Sequence, residues 1–156
     1  IKMRKVRLIF LAVIGICMAG FVSCSSSGNG SDELCDHRKA DPQPFFTFLE
    51  KQTAQHIVDY RSEEDFAKGH IQGAINIPAS VKDLDGAHGE CAYVKKVLQS
   101  FNFDTETPLF VYGGKDAFGT KGMAVPGQLA CKFKVVTLLI GGYDEWVKEG
   151  LPTSVE

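Results

Sequence analysis

Short, continuously apolar runs followed by glycines recur along this chain. The clearest is LFVY, Leu109 to Tyr112, which enters the polar loop GGKDAFG. A second is KVVTLLI, Lys134 to Ile140, which enters Gly141-Gly142. Runs of this length without polar alternation suit strands buried on both faces, as in a parallel sheet. Between them lie segments of helical spacing. ECAYVKKVLQSF, Glu90 to Phe101, places Tyr93, Val94, Val97, Leu98 and Phe101 on one face. Strand–helix alternation over this length predicts one α/β domain with a mainly parallel sheet.

Other elements complete the pattern. Pro42 and Pro44 mark the entry to the domain, and FFTFLEKQ, Phe45 to Gln52, reads as a first helix. AQHIVD, Ala54 to Asp59, contains the first strand. Ser62 caps a short Glu-rich helix, with Asp65 near the capping-box position, and Gly69 ends it. Ile71 to Ile77 reads as one further extended segment closed by Pro78, and Ala79 to Gly89 as loop. Gly119 to Phe133 reads as a helix that Pro126-Gly127 should kink or interrupt. YDEWVKEG forms the last helix, closed by Gly150.

The first residues differ from the rest. Lys2, Arg4, Lys5 and Arg7 precede the apolar run Leu8 to Val22. That run is about 15 residues, short of the roughly 20 needed to span a membrane and within the range of a signal-peptide core. Ser23, Cys24 and the tract SSSGNGSDE follow, and this order resembles a bacterial lipoprotein signal. The resemblance implies cleavage before Cys24, its lipidation, and a chain held on a membrane outside the cytoplasm. Phe21 stands where that signal commonly has Leu. Secretion without lipid and a retained anchor helix are the alternatives. Cys17 lies within the apolar core, and Met3 is the candidate start. The expected division is 1–23 signal, 24–41 lipidated cysteine and tether, and 42–156 folded domain.

The formal net charge is -2 and the hydrophobic fraction 44 %, which excludes a basic nucleic-acid footprint and a disordered chain. Cys35, Cys91 and Cys131 remain besides Cys24 and Cys17. An oxidising compartment permits one disulfide among the three, and spacing does not choose it. Cys131 alone reads as a small buried hydrophobe in a helix. The cysteines lack zinc-site spacing, so neither metal nor cofactor is expected.

IVDYRSEEDFAKGHIQGAINIP, Ile57 to Pro78, and LLIGGYDEWVKEGLP, Leu138 to Pro152, resemble the two signatures of rhodanese-like domains, in order and at family spacing. The resemblance covers about Phe45 to Pro152 and implies a three-layer sandwich with helices on both faces of the sheet. Asp59, Arg61 and His70 would support the loop, and Trp146 and Tyr143 would pack the last helix on the sheet.

In catalytic members a cysteine follows the strand that precedes the loop, and loop amides stabilise its thiolate and a bound sulfur anion. Here that strand ends at Tyr112 and Gly113 follows. Counted from Gly113, the family's fourth-position glycine and last-position basic residue are Asp116 and Phe118. The loop Gly113, Gly114, Lys115, Asp116, Ala117, Phe118, Gly119 is therefore remodelled, with no nucleophile of its own. Asp116 would repel an anionic donor and Lys115 would partly offset it. The resemblance to a nucleotide-binding P-loop fails, because Gly114 and Gly119 are followed by Thr120-Lys121 in reversed order.

The expectation is a non-catalytic envelope module that binds a small anion or a protein partner at this loop. A displaced thiol at Cys91, beside His88, or at Cys131 is the enzymatic alternative. A purely structural envelope component is the third.

Overall fold

The computed structural model describes residues 37–80, 83, 92–115 and 119–155, with only the backbone described over 119–124. Seven strands and five helices follow one another along these residues. Strands β1 (Arg38–Ala40), β6 (Val136–Leu139), β5 (Leu109–Tyr112), β2 (His56–Asp59) and β4 (Ile75–Asn76) form a five-stranded sheet in that spatial order. Every pairing in it is parallel. The α/β architecture with a parallel sheet is thus the one expected.

Alternation along the strands builds two cores. Leu109 and Val111 of β5 face helices α3 (Ala92–Ser100) and α4 (Gly119–Ala130), meeting Tyr93, Val94, Val97, Val125 and Leu129. Phe110 and Tyr112 face the opposite way, toward α1 (Pro42–Glu50) and α5 (Gly142–Lys148). Phe45 of α1 meets Phe110 and Trp146 edge-on, with centroids 5.2 and 6.0 Å apart. Each such pair adds about 0.5–1.5 kcal/mol beyond its buried area. The Trp146 indole N–H donates to the Pro152 carbonyl at 2.9 Å, tying the closing Gly-Leu-Pro turn to the last helix.

Several boundaries depart from expectation. Arg38–Ala40, assigned to the tether, is an edge strand in register with Thr137–Leu139. Helix α1 begins at Pro42, because prolines are tolerated in a first turn, whose N–H groups have no helical acceptor. The segment Ile71 to Ile77 is two strands. His70–Ile71 (β3) pairs antiparallel with Thr153–Ser154 (β7), and a turn through Gly73, at φ +82°, returns the chain to β4 on the main sheet. Pro126 lies inside an uninterrupted α4, which ends at Ala130 and not Phe133. There the Leu129 carbonyl accepts from both the Lys132 and Phe133 N–H groups.

The capping of α2 (Glu63–Lys68) is close to the expected one. The Asp65 N–H donates to Ser62 Oγ at 3.1 Å. The Asp65 carboxylate accepts the Ser62 hydroxyl at 2.9 Å.

Candidate functional site

Chain order reverses across the sheet between β2 and β5. From β2 the chain adds β4 on one side, then returns to place β5 and β6 on the other. In open α/β sheets ligands bind beyond the strand carboxyl ends at such a switch point. The residues there are Asp59 to Arg61 at the end of β2 and Gly113 to Lys115 after β5.

Asp59 and Arg61 form a buried unit. Arg61 Nη2 donates to Asp59 Oδ2 at 2.6 Å, and Nε lies 3.1 and 3.0 Å from the two carboxylate oxygens. The Arg61 backbone N–H donates to the same carboxylate at 2.9 Å. Asp59 is fully buried and Arg61 nearly so. Burial opposes the guanidinium charge, but the Asp59 hydrogen bonds and charge override it, so the Arg61 pKa is raised. Arg61 Nη2 also donates to the Gly69 carbonyl at 2.7 Å, and the guanidinium lies over the Tyr143 ring at 3.9 Å. Asp59 thus accepts from both the backbone amide and the side chain of Arg61.

His70 Nδ1 donates to the Phe66 carbonyl at 3.1 Å, and its ring stacks on Phe66 at 3.9 Å. It serves the α2–β3 corner. The adjacent Ile71 N–H donates to the Tyr112 hydroxyl at 3.0 Å. Burial and the neighbouring Asp59 charge raise the Tyr112 pKa. Tyr112, Tyr143 and Arg61 thereby brace the end of β5 on the α1–α5 side. Trp146 and Tyr143 pack α5 as expected.

Gly113 is buried, Gly114 half-buried and Lys115 exposed. The Gly113 carbonyl accepts the Tyr143 N–H at 2.8 Å, which docks the loop on the first turn of α5. Gly142 allows that approach. Its φ is +67°, and a Cβ there would collide with the Gly113 carbonyl oxygen. On the other side of Gly113 lies Tyr60. A Cβ built on Gly113 would collide with the Tyr60 ring and lie 2.8 Å from its hydroxyl oxygen. Tyr60 is 2 % exposed. Burial, helped by the Asp59 charge, pushes its pKa up to about 12.

A cavity of about 440 Å³ opens beside this contact, lined by Lys39, Tyr60, Gly113 to Lys115 and Leu138 to Gly142. Its border thus includes two lysines and glycine backbone. The sequence reading missed Tyr60 and Lys39. Tyr60 lies inside the quoted DYR, but the glycine it covers is distant in sequence. Lys39 lay in the presumed tether.

Asp116, Ala117 and Phe118 lie outside the described residues, as do Cys24, Cys35, His88 and Cys91. Gly119 begins α4. Cys131 lies just past the far end of that helix and is disulfide-bonded, so it is neither the simple buried thiol expected nor a thiol near the loop. Among the described residues, no His, Cys, Asp and Glu group is placed to hold a metal.

The model of the rhodanese-like domain matches residues 46–149. Thiosulfate sulfurtransferase 16, chloroplastic, of Arabidopsis thaliana is 32 % identical over 96 residues, covering 62 % of this chain and 77 % of that protein. Rhodanese-like domain-containing protein 15, chloroplastic, of the same plant is 27 % identical over 101 residues, and the match spans 53 % of its length. Among solved structures, the rhodanese-like domain of an Anabaena protein superposes with a TM-score of 0.56 at 24 % identity, over 78 % of this chain and 81 % of that one. That last likeness is one of fold.

Proposed function

Since this chain belongs to the rhodanese-like domain family, we propose that it is a member without the sulfur nucleophile, whose mouth binds a ligand and does not transform it. One observation carries the reading: where the family resemblance puts the reactive cysteine stands Gly113, and the space a side chain would need holds the Tyr60 ring. Glycine cannot attack or carry sulfur. The chain keeps its relation to sulfurtransferases in the buried Asp59–Arg61 pair and in the docked strand-end loop.

The ligand class we assign is a small anion. Lys39 and Lys115 border the cavity, and Gly113 and Gly114 expose backbone to it. Backbone amides and nearby cations together favour anions. A displaced thiol receives no support from Cys131, which is disulfide-bonded beyond the far end of α4. The lipoprotein-like signal at Cys24 places this module, in our reading, on a membrane outside the cytoplasm.

Titration of the isotope-labelled chain with thiosulfate, and separately with inorganic phosphate, tests the ligand assignment. Saturable shifts of the Gly113, Gly114 and Lys115 amides are expected, weakened in a Lys39→Ala/Lys115→Ala variant. Unmoved amides at millimolar anion would overturn the small-anion assignment and favour a protein partner.

A further inference from the structure

We propose that the chain carries a second site, for a small organic ammonium ion with an apolar body, in a cleft between α1 and the β3–β7 ribbon. The cleft encloses about 440 Å³, within the roughly 300–1,000 Å³ of small-molecule sites. Its floor is apolar. Leu49 of α1, Ile57 of β2, Ile71 of β3 and Trp146 of α5 line it, each 7 % exposed or less. All four belong to the core on the α1–α5 side of the sheet. The elements around them are short: α1 stops at Glu50, and β3 and β7 have two residues each.

Position separates the cleft from the mouth. Gln55 and Ile57 lie at the amino end of β2, whereas Tyr60 and Gly113 follow the carboxyl ends of β2 and β5. Among the described residues, none lines both cavities.

The rim sets the charge. Glu50, Gln55 and Gln72 border the cleft, and all three are exposed. No hydrogen bond or ion pair holds any of these side chains to another described residue. Glu50 is the one charged group among the described residues that line the cleft; Lys51, next in the chain, does not line it. The Trp146 indole N–H is already given to the Pro152 carbonyl. An anion entering here would therefore meet a carboxylate and no cation.

Phe46 adds to the attraction. It precedes Glu50 by one helical turn, so ring and carboxylate share a face of α1. The ring meets Trp146 edge-on, with centroids 5.8 Å apart, and stays half-buried at the cleft wall. Aromatic rings and carboxylates both favour a cation.

The acceptors select the head group. One carboxylate and two amide carbonyls border the cleft. A primary ammonium brings three N–H donors and no acceptor, whereas a guanidinium brings five. The ligand class is thus an alkyl- or arylalkylammonium ion, its apolar end on Leu49, Ile57 and Ile71. The assignment stands whether or not the mouth binds an anion.

Titration of the isotope-labelled full chain with phenylethylammonium tests it. The Trp146 indole N–H and the Gln55 and Gln72 side-chain amides should shift saturably in the millimolar range, with the Gly113 and Gly114 amides unmoved. Phenylethanol, the neutral isostere, should bind about two- to fivefold more weakly, and phenylacetate more weakly still. Glu50→Gln should weaken phenylethylammonium about two- to fivefold and leave phenylethanol unchanged. Glu50 is exposed and without a partner among the described residues, so this variant should fold as the parent does. Phe46→Leu should weaken the cation about two- to fivefold. No saturable shift, equal binding of the three probes, or unchanged affinity in Glu50→Gln overturns the assignment. Shifts of the same resonances on raising the protein concentration alone would give the cleft to a second copy of this chain and overturn it as well.

Discussion

The ring of Tyr60 occupies the space into which a side chain at Gly113 would project. The two residues follow adjacent parallel strands, and the Tyr60 N–H donates to the Tyr112 carbonyl at 3.1 Å. The contact makes position 113 and position 60 one packing unit. Placing a cysteine at 113 therefore requires the ring to move.

Gly113→Cys should destabilise the chain by about 1–3 kcal/mol through overpacking. Tyr60→Val should cost a few kcal/mol by leaving a cavity. Combined, they should cost less than their sum, with a coupling of about 0.5–3 kcal/mol. Urea unfolding of the four proteins measures it, and strict additivity would show that the ring and a side chain at 113 do not compete for one space.

The same tyrosine makes stability sensitive to alkali. Its hydroxyl ionises near 10 in the unfolded chain and near about 12 in the folded one. Between those values the unfolded chain binds fewer protons, so stability is full below pH 10 and falls as pH rises toward 12. The loss from Tyr60 is about 2–3 kcal/mol. Tyr112 shifts in the same direction, so Tyr60→Phe should leave a shallower slope, not a flat one. Parallel slopes for parent and variant would contradict the assignment.

Arg61→Met leaves the Asp59 carboxylate buried without its partner, and should cost about 3–5 kcal/mol in denaturant unfolding. Arg61→Lys should recover only part of that, because an ammonium cannot match the forked geometry or the stacking on Tyr143. Full recovery by lysine would reduce the role of Arg61 to its charge.

Gly142→Ala forces a Cβ against the Gly113 carbonyl at a positive φ. A loss of about 1 kcal/mol or more is expected, together with shifted Gly113 and Gly114 amide resonances. An unchanged loop spectrum would mean that the docking on α5 is loose.

Much of this arrangement was legible before any coordinates. β5 and β6 announced themselves as unbroken apolar runs, and Ser62 as a cap. β1 and β7 did not, because two- and three-residue strands carry no periodicity and are defined by their partners. Pro126 does not interrupt α4, because the burial of Val125 and Leu129 in the core outweighs the lost hydrogen bond and the clash of the ring with the preceding turn. At the site, Gly113 at the end of β5 is legible in the sequence. Its physical counterpart, a tyrosine from another strand end, became visible only when β2 and β5 were paired.

The most direct test of the account is sulfur transfer by the full chain. Incubated with thiosulfate and a cyanide acceptor, the protein should form no thiocyanate above the uncatalysed rate, and its intact mass should gain no sulfur. Thiocyanate production that thiol alkylation abolishes, with a persulfide on any cysteine of the chain, would contradict it.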